Sequence, residues 1–361
     1  MEREQGVLED MVIKGLFDNI FEGKTVLVTG HTGFKGSWLS IWLGELGAEV
    51  VGYALEPYTK DDNFVVAGVE NRVHSIIKDI RGYTDLKNTF DVCQPEFVFH
   101  LAAQPLVRQS YKDPRETYES NIMGVVNLLE CCRLTKSVKV IIIVTSDKCY
   151  ENKEWVWGYR EIDTIGGYDP YSSSKGCVEL IVEAYHKSFM QDRAIATVRA
   201  GNVIGGGDWR EDRLVPDCIR ALKSNKQIGI RSPKSKRPWQ FVLEPLSGYL
   251  LLASKMYQDI EYSGTWNFGS NYSSALTVED LVMYLISQWG YGEYKDLSFG
   301  LVQPHESKRL TLDSSKAMTL LGWQPRLDVY EAIDFTVAWY KNPKVNYGFC
   351  VKQIEDYIGK K

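Results

Sequence analysis

Two short stretches carry the residues best suited to chemistry. One is Thr145-Ser146-Asp147-Lys148-Cys149-Tyr150, the other Tyr171-Ser172-Ser173-Ser174-Lys175. Tyr171 and Lys175 stand four apart at an expected helix start, which puts both side chains on one face, a turn apart. An ammonium beside a phenol favours the phenolate, so Lys175 is expected to lower the Tyr171 pKa from its usual value of about 10. Reaching neutrality takes about 3 units, or roughly 4 kcal/mol. A tyrosine tuned in that way is a general base for a substrate hydroxyl. In the first stretch a hydroxyl, a carboxylate and an ammonium follow the apolar run Val140-Ile141-Ile142-Ile143-Val144. The run is short, β-branched and uncharged, and reads as a buried strand. Open α/β sheets bind ligands at the carboxyl ends of their strands, which makes Ser146, Asp147 and Lys148 catalytic candidates with Tyr171 and Lys175.

The elements before these stretches read as their scaffold. Lys24–Thr29 is an expected strand, Gly30-His31-Thr32-Gly33-Phe34-Lys35-Gly36 a glycine turn, and Ser37–Leu46 a helix stopped by Gly47. Gly30 would allow the tight turn, Gly33 the approach of a pyrophosphate, and Gly36 close packing of the helix. The helix N-terminus would face the phosphates, and Thr32, Phe34 and Lys35 lie in the same turn. The second strand, Glu49–Ala54, has no arginine at its end, which favours NAD over NADP. Glu56, just past it, reads either as a ribose ligand or as a solvated loop carboxylate. Asp79-Ile80, after the strand Val73–Lys78, reads as an adenine contact or an ordinary loop. Beyond the strand Glu96–Leu101, the backbone of Leu101, Ala102 and Ala103 would pass the cofactor, and Gln104 is a substrate candidate. His100 reads as a core residue.

Helices predicted over 83–93, 115–134 and 171–189 alternate with strands, the last of them Ala194–Arg199. The pattern is a Rossmann-like, doubly wound parallel sheet of the α/β class. After the glycine-rich stretch Gly201–Asp208, expected to be a loop, shorter helices and strands predict a smaller C-terminal α/β substrate-binding domain. The boundaries are 22–200 and 201–361, with the second part interleaved with the first. Asn202 and Arg213 are substrate candidates there, and Arg237 and Arg309 could clamp a diphosphate in bidentate fashion. Residues 11–21 suggest a short amphipathic helix.

The 361 residues, 25% charged and 44% hydrophobic, suit an ordinary soluble globular protein, and a net charge of −5 argues against a general nucleic-acid binder. Seven cysteines without paired ligand spacing point to a reduced, cytoplasmic setting and to no metal site. The acidic start Met1-Glu2-Arg3-Glu4-Gln5 is unlike a secretory signal, and no apolar stretch reaches a membrane-spanning length.

In this order, T-G-H-T-G-F-K-G, H-L-A-A-Q, T-S-D-K-C-Y and Y-S-S-S-K resemble the extended short-chain dehydrogenase/reductase family. The likeness runs from about Gly23 to about Trp339. Tyr150–Tyr159, Arg199–Trp209 and Arg237–Pro245 are similar to the nucleotide-sugar 4,6-dehydratases within that family. One departure is Phe241, where the resemblance leads one to expect histidine. The resemblance implies a redox-neutral reaction on a nucleotide sugar. Tyr171 would take the C4 hydroxyl proton as hydride passes to NAD, water would leave across C5 and C6, and the hydride would return to C6. Ser146 would bind the C4 hydroxyl and Lys175 the nicotinamide ribose. Asp147 would help the C6 hydroxyl leave. Lys148, where relatives carry glutamate, would be the C5 base, acting as a free amine; its alternative is a salt bridge to Asp147. The resemblance also implies a homo-oligomer. A 4-epimerase, a simple dehydrogenase or a non-catalytic NAD-binding sensor remain open, and Asp147-Lys148 is the feature they do not need.

Overall fold

The computed structural model describes residue 13 and residues 15–270, 275–298 and 309–360. Its strands are β1 (Thr25–Thr29), β2 (Glu49–Ala54), β3 (His74–Ile77), β4 (Phe97–His100), β5 (Val140–Val144), β6 (Ala194–Ala200), β7 (Asn202–Ile204), β8 (Ile228–Ile230), β9 (Lys236–Phe241), β10 (Gly264–Phe268), β11 (Ala275–Thr277) and β12 (Tyr294–Asp296). The longer helices are α1 (Phe34–Glu45), α2 (Tyr83–Cys93), α3 (Gly124–Leu134), α4 (Pro170–Phe189), α5 (Leu214–Lys223), α6 (Leu243–Gln258), α7 (Val278–Trp289), α8 (Val329–Lys341) and α9 (Tyr347–Ile358).

Seven strands form one sheet in the order β3-β2-β1-β4-β5-β6-β10, every neighbouring pair parallel. The alternation along β5 shows why its sequence is apolar throughout. Val140, Ile142 and Val144 face a cluster with Trp38, Leu39 and Trp42 of α1 and Leu246, Tyr249 and Leu250 of α6. Ile141 and Ile143 face the opposite cluster, with Leu86 and Phe90 of α2, Leu128 and Leu129 of α3, and Val178 and Val182 of α4. A parallel strand covered on both faces has no solvent side on which to place polar residues.

The C-terminal part is bound into this core. β10 returns to the main sheet beside β6, and the first cluster continues through Val215 and Ile219 of α5, Leu281 and Leu285 of α7, and Val337 of α8. A small sheet, β11-β9-β7, and the pair β12-β8 complete the described strands.

Three local expectations need correction. Asn202–Ile204 is a strand, pairing with β9, not loop. The glycines after it serve close packing: a Cβ on Gly206 would lie 1.9 Å from the Trp339 ring. The helix expected over 115–134 contains a wider turn at Glu119–Met123. Of the helix expected over 11–21, Ile13 is helical, but the regular helix does not continue through residues 16–19. Leu16–Asn19 is a tight turn with Phe17 and Asp18 in the left-handed region, at φ 54° and 57°. Packing decides this: Phe17 meets Trp42 at 6.2 Å and Phe21 meets Phe97 at 5.1 Å between ring centroids. Residues 11, 12 and 14 of that stretch lie outside the described residues. Among the described residues, no helix is long and apolar enough to cross a membrane.

Candidate active site

The glycine turn joins β1 to α1 at the carboxyl end of the sheet. Gly30 has φ +77°, and a Cβ there would lie 2.7 Å from the Ala102 nitrogen. A Cβ on Gly36 would lie 2.0 Å from the Gly30 carbonyl oxygen, so the helix starts directly over the turn. Gly33 is the N-cap of α1 and supplies no side-chain cap, leaving the first N–H groups of the helix available to an anion. Thr32 Oγ1 donates to the Leu55 carbonyl at 2.8 Å, tying the turn to the end of β2. Phe34 packs against Gly205. The Leu101 and Ala102 N–H groups reach Thr29 Oγ1 at 3.2 and 3.3 Å, which runs their backbone beside the turn, with Ala103 half-buried after them. This cradle of backbone fits a pyrophosphate, so these residues could hold a dinucleotide.

The edges of the cradle are more mixed. Asp79 is gripped by the Arg81 guanidinium at 2.6 and 2.9 Å, and that hydrogen bond holds its carboxyl below the usual range. Ile80 is buried under Gly124. Glu56 is exposed past the end of β2. His100 is buried, with Nδ1 2.7 Å from Thr29 Oγ1, as its reading as a core residue expects.

At the end of β5, Ser146 is extended and caps a short turn, Asp147–Cys149. Its Oγ accepts from the Lys148 N–H at 3.2 Å and donates to Asp147 Oδ1 at 2.9 Å. Asp147 is buried, which raises its pKa; Lys148, Ser146, Arg237 and Lys35 oppose the rise. Lys148 acts on it through space, and no ion pair joins the two among the described residues. Lys35 reaches the same floor: burial first, then Arg213, pushes its pKa down to about 8, against the pull of Asp147.

Tyr171 and Lys175 sit in the first turns of α4, which Pro170 starts and Asp169 caps through the Ser172 N–H at 2.9 Å. The expected acidification of the phenol is reversed. Burial pushes the Tyr171 pKa up to about 12, and the Ser146 hydroxyl opposes this only in part. The Lys175 ammonium donates to the Val144 carbonyl at 3.1 Å, and burial pushes its pKa down to about 8. Desolvation here outweighs the charge partnership that spacing alone suggests.

A buried charge pair, not foreseen from the sequence, joins α4 to the turn. Glu179, one turn beyond Lys175, takes both forks of Arg199 on β6 at 2.9 Å. The same carboxylate accepts from Thr145 at 2.5 Å and Thr197 at 2.6 Å, and Arg199 also donates to the Tyr150 hydroxyl at 2.5 Å. One ion pair therefore holds both ends of the turn against the helix that carries Tyr171. Its signal in the sequence is an arginine inside the otherwise uncharged run Ala194–Ala200. Asn121, in the wide turn before α3, was missed as well: it donates to Ser174 at 2.9 Å and accepts from the Gln104 N–H at 2.7 Å.

The substrate candidates divide. Arg213 is held by Asp208 at 2.7 Å and is close enough to influence both Tyr171 and Lys35. Arg237 on β9 influences Asp147. Asn202 follows Gly201, whose Cβ position lies 3.5 Å from Asp147 Oδ2. Arg309 begins the last described segment, its N–H accepted by Glu154 at 3.1 Å. Gln104 spends its carboxamide internally, on Leu106 and Thr117. Phe241, at the position where histidine was expected, is buried between Trp38 and Phe335, so apolar packing replaces any polar contact there.

Comparisons with known proteins bear on the family and the fold. The family model described as GDP-mannose 4,6 dehydratase matches residues 27–336. The chain is 50% identical over 331 residues to a CDP-glucose 4,6-dehydratase of Salmonella typhimurium, covering 90% of this chain and 92% of that one. The structure of a Bacillus cereus UDP-glucuronic acid 4-epimerase in complex with UDP-glucuronic acid and NAD superposes with a TM-score of 0.76 at 25% identity, covering 88% of this chain and 99% of that one. The fold is also that of a Streptomyces venezuelae dTDP-glucose 4,6-dehydratase, with a TM-score of 0.77 at 21% identity over 89% of this chain and 98% of that one.

Proposed function

Because the chain belongs to the GDP-mannose 4,6 dehydratase family, we propose that it is an NAD-dependent CDP-D-glucose 4,6-dehydratase. It converts CDP-D-glucose to CDP-4-keto-6-deoxy-D-glucose and water. The observation that carries the reading is half-identity to the Salmonella enzyme across nine-tenths of the chain. The Ser146-Asp147-Lys148 turn facing Tyr171 supports it.

The glycine turn, Lys35, and the Leu101–Ala103 backbone hold the cofactor, and Asp79 and Ile80 border its adenosine end. Bound NAD would supply the hydride acceptor for C4 and the hydride donor for C6, and its positive charge would favour the phenolate of Tyr171, which burial otherwise keeps protonated. Tyr171 takes the C4 hydroxyl proton, with Ser146 hydrogen-bonded to the same oxygen. Lys175 holds the nicotinamide ribose. Lys148 removes the C5 proton made acidic by the 4-keto group. Asp147, whose raised pKa suits a proton donor, protonates the departing C6 hydroxyl. Lys148 then returns its proton to C5. Tyr171 ends protonated and Asp147 ionised, and Ser146, next to both, is placed to pass the proton back. Asn202, Arg213, Arg237 and Arg309 bind the nucleotide sugar, with Arg237 and Arg309 on the diphosphate.

The test is incubation with CDP-glucose and catalytic NAD+, with UDP-, dTDP- and GDP-glucose alongside. The expected result is a 4-keto product that absorbs in alkali, from CDP-glucose and without net NADH. Stoichiometric NADH, or a 4-epimer, would contradict the reading. We also infer a homo-oligomer that covers the exposed Leu180 and Met123. Light scattering showing a single chain in solution would overturn that inference.

A further inference from the structure

The catalytic turn continues into an exposed arch, residues 151–158, on which Val156 and Trp157 are 59% and 69% exposed. The arch fills little of either main core, yet it is firmly anchored. The Tyr150 and Tyr159 rings stack at 5.1 Å, as do those of Tyr159 and Trp155. Cys149, Tyr150 and Tyr159 share a separate small cluster with Leu310 and Leu312. Tyr159 also pairs with the same segment through its backbone, to Thr311 and Asp313, both at 2.8 Å.

Asn152 is the hub of the arch. Its Oδ1 accepts from the Tyr159 hydroxyl at 2.9 Å and from the Glu154 N–H at 3.0 Å, while Nδ2 donates to the Arg309 carbonyl at 3.1 Å. The Glu154 carboxylate accepts from the Arg309 N–H at 3.1 Å. Both backbone polar groups of Arg309 therefore end on the arch. Glu154 is held at φ 56°, a conformation non-glycine residues seldom adopt, which persists only where the surroundings impose it.

We propose that Asn152 and Glu154 are positioning residues that set the reach of Arg309 to the diphosphate of the substrate. This rests on the reading of Arg309 as a diphosphate ligand given above. The arch starts at the turn that carries Asp147 and Lys148 and ends on the segment that carries Arg309. It therefore fixes the span between the group that works at C5 and C6 and the group that grips the diphosphate. A nucleoside diphosphate hexose has a set distance between those points, so the arch selects for substrates of that length.

The experiment is a double-mutant cycle. Asn152→Ala, Glu154→Ala, Arg309→Ala and the two pairs with Arg309→Ala are compared for KM, kcat and melting temperature, with CDP-glucose as substrate. The expected result is a KM raised about tenfold in each single variant, kcat within about twofold, and no further rise when either arch variant is added to Arg309→Ala. A loss of packing alone would lower the melting temperature without moving KM. If Arg309→Ala raises KM while the arch variants leave it alone, or multiply its effect, the positioning role is wrong. If Arg309→Ala leaves KM unchanged, the diphosphate reading fails first and the inference falls with it.

Discussion

The helix that carries Tyr171 and Lys175 and the turn that carries Ser146, Asp147 and Lys148 meet in one site but are built differently. On α4 the two groups are both driven toward neutrality: the phenol is raised to about 12, the amine lowered to about 8. On the turn a buried carboxylate is raised while Lys148, Arg237 and Lys35 pull against the rise. The helix thus carries a desolvated phenol and amine, which suits the hydroxyl oxidation proposed for it. The turn is a charged acid–base unit suited to moving protons at neighbouring carbons. The Glu179–Arg199 pair fastens one to the other, Glu179 accepting from Thr145 and Arg199 donating to Tyr150. In the proposed mechanism the two half-reactions, oxidation and elimination, accordingly reside on separate elements.

The largest effect should come from separating them. Lys148→Met should lower formation of the dehydrated product by about 1,000-fold, the scale of a lost general base, while Tyr171 still oxidises C4. NADH should then build up toward one equivalent per site, read by its absorbance. Equal loss of oxidation and elimination would break the division of labour.

A smaller effect concerns the helix alone. Lys175 has a folded pKa of about 8 against 10.5 for the free side chain. Between those values the unfolded chain binds more protons, so folding stability contributed by this site rises with pH across that window. The penalty for a charged Lys175 is full below about pH 8 and gone above about 10.5, up to about 3 kcal/mol. Relative to Lys175→Met, the parent should therefore gain stability from about pH 7 to about pH 10 in urea unfolding. Parallel curves for the two proteins would show that Lys175 is not desolvated.

Much of this could be read from residue order, for physical reasons that differ by element. The β5 run and the glycine turn were legible because burial on both faces and a close backbone approach each demand one residue type. That Tyr171 and Lys175 open a helix and that the 146–148 turn follows a strand was legible because strand ends and helix starts place side chains predictably. The direction of the Tyr171 shift was not legible, since spacing reports a neighbour but not desolvation. Nor was the return of β10 to the main sheet, because a short apolar strand does not announce its partner. Arg199 and Glu179 lie 20 residues apart on different elements, and only the fold brings them within 2.9 Å. Phe17 and Asp18 show the opposite failure: a helical pattern of apolar residues was overruled by ring packing on Trp42.

The most direct measurement follows the hydrogen at C4. CDP-glucose carrying deuterium at C4 should give a product with that deuterium on the C6 methyl group, because in the proposed mechanism oxidation on the helix and elimination at the turn share one bound cofactor. Deuterium kept at C4, or lost from the product, would contradict the account.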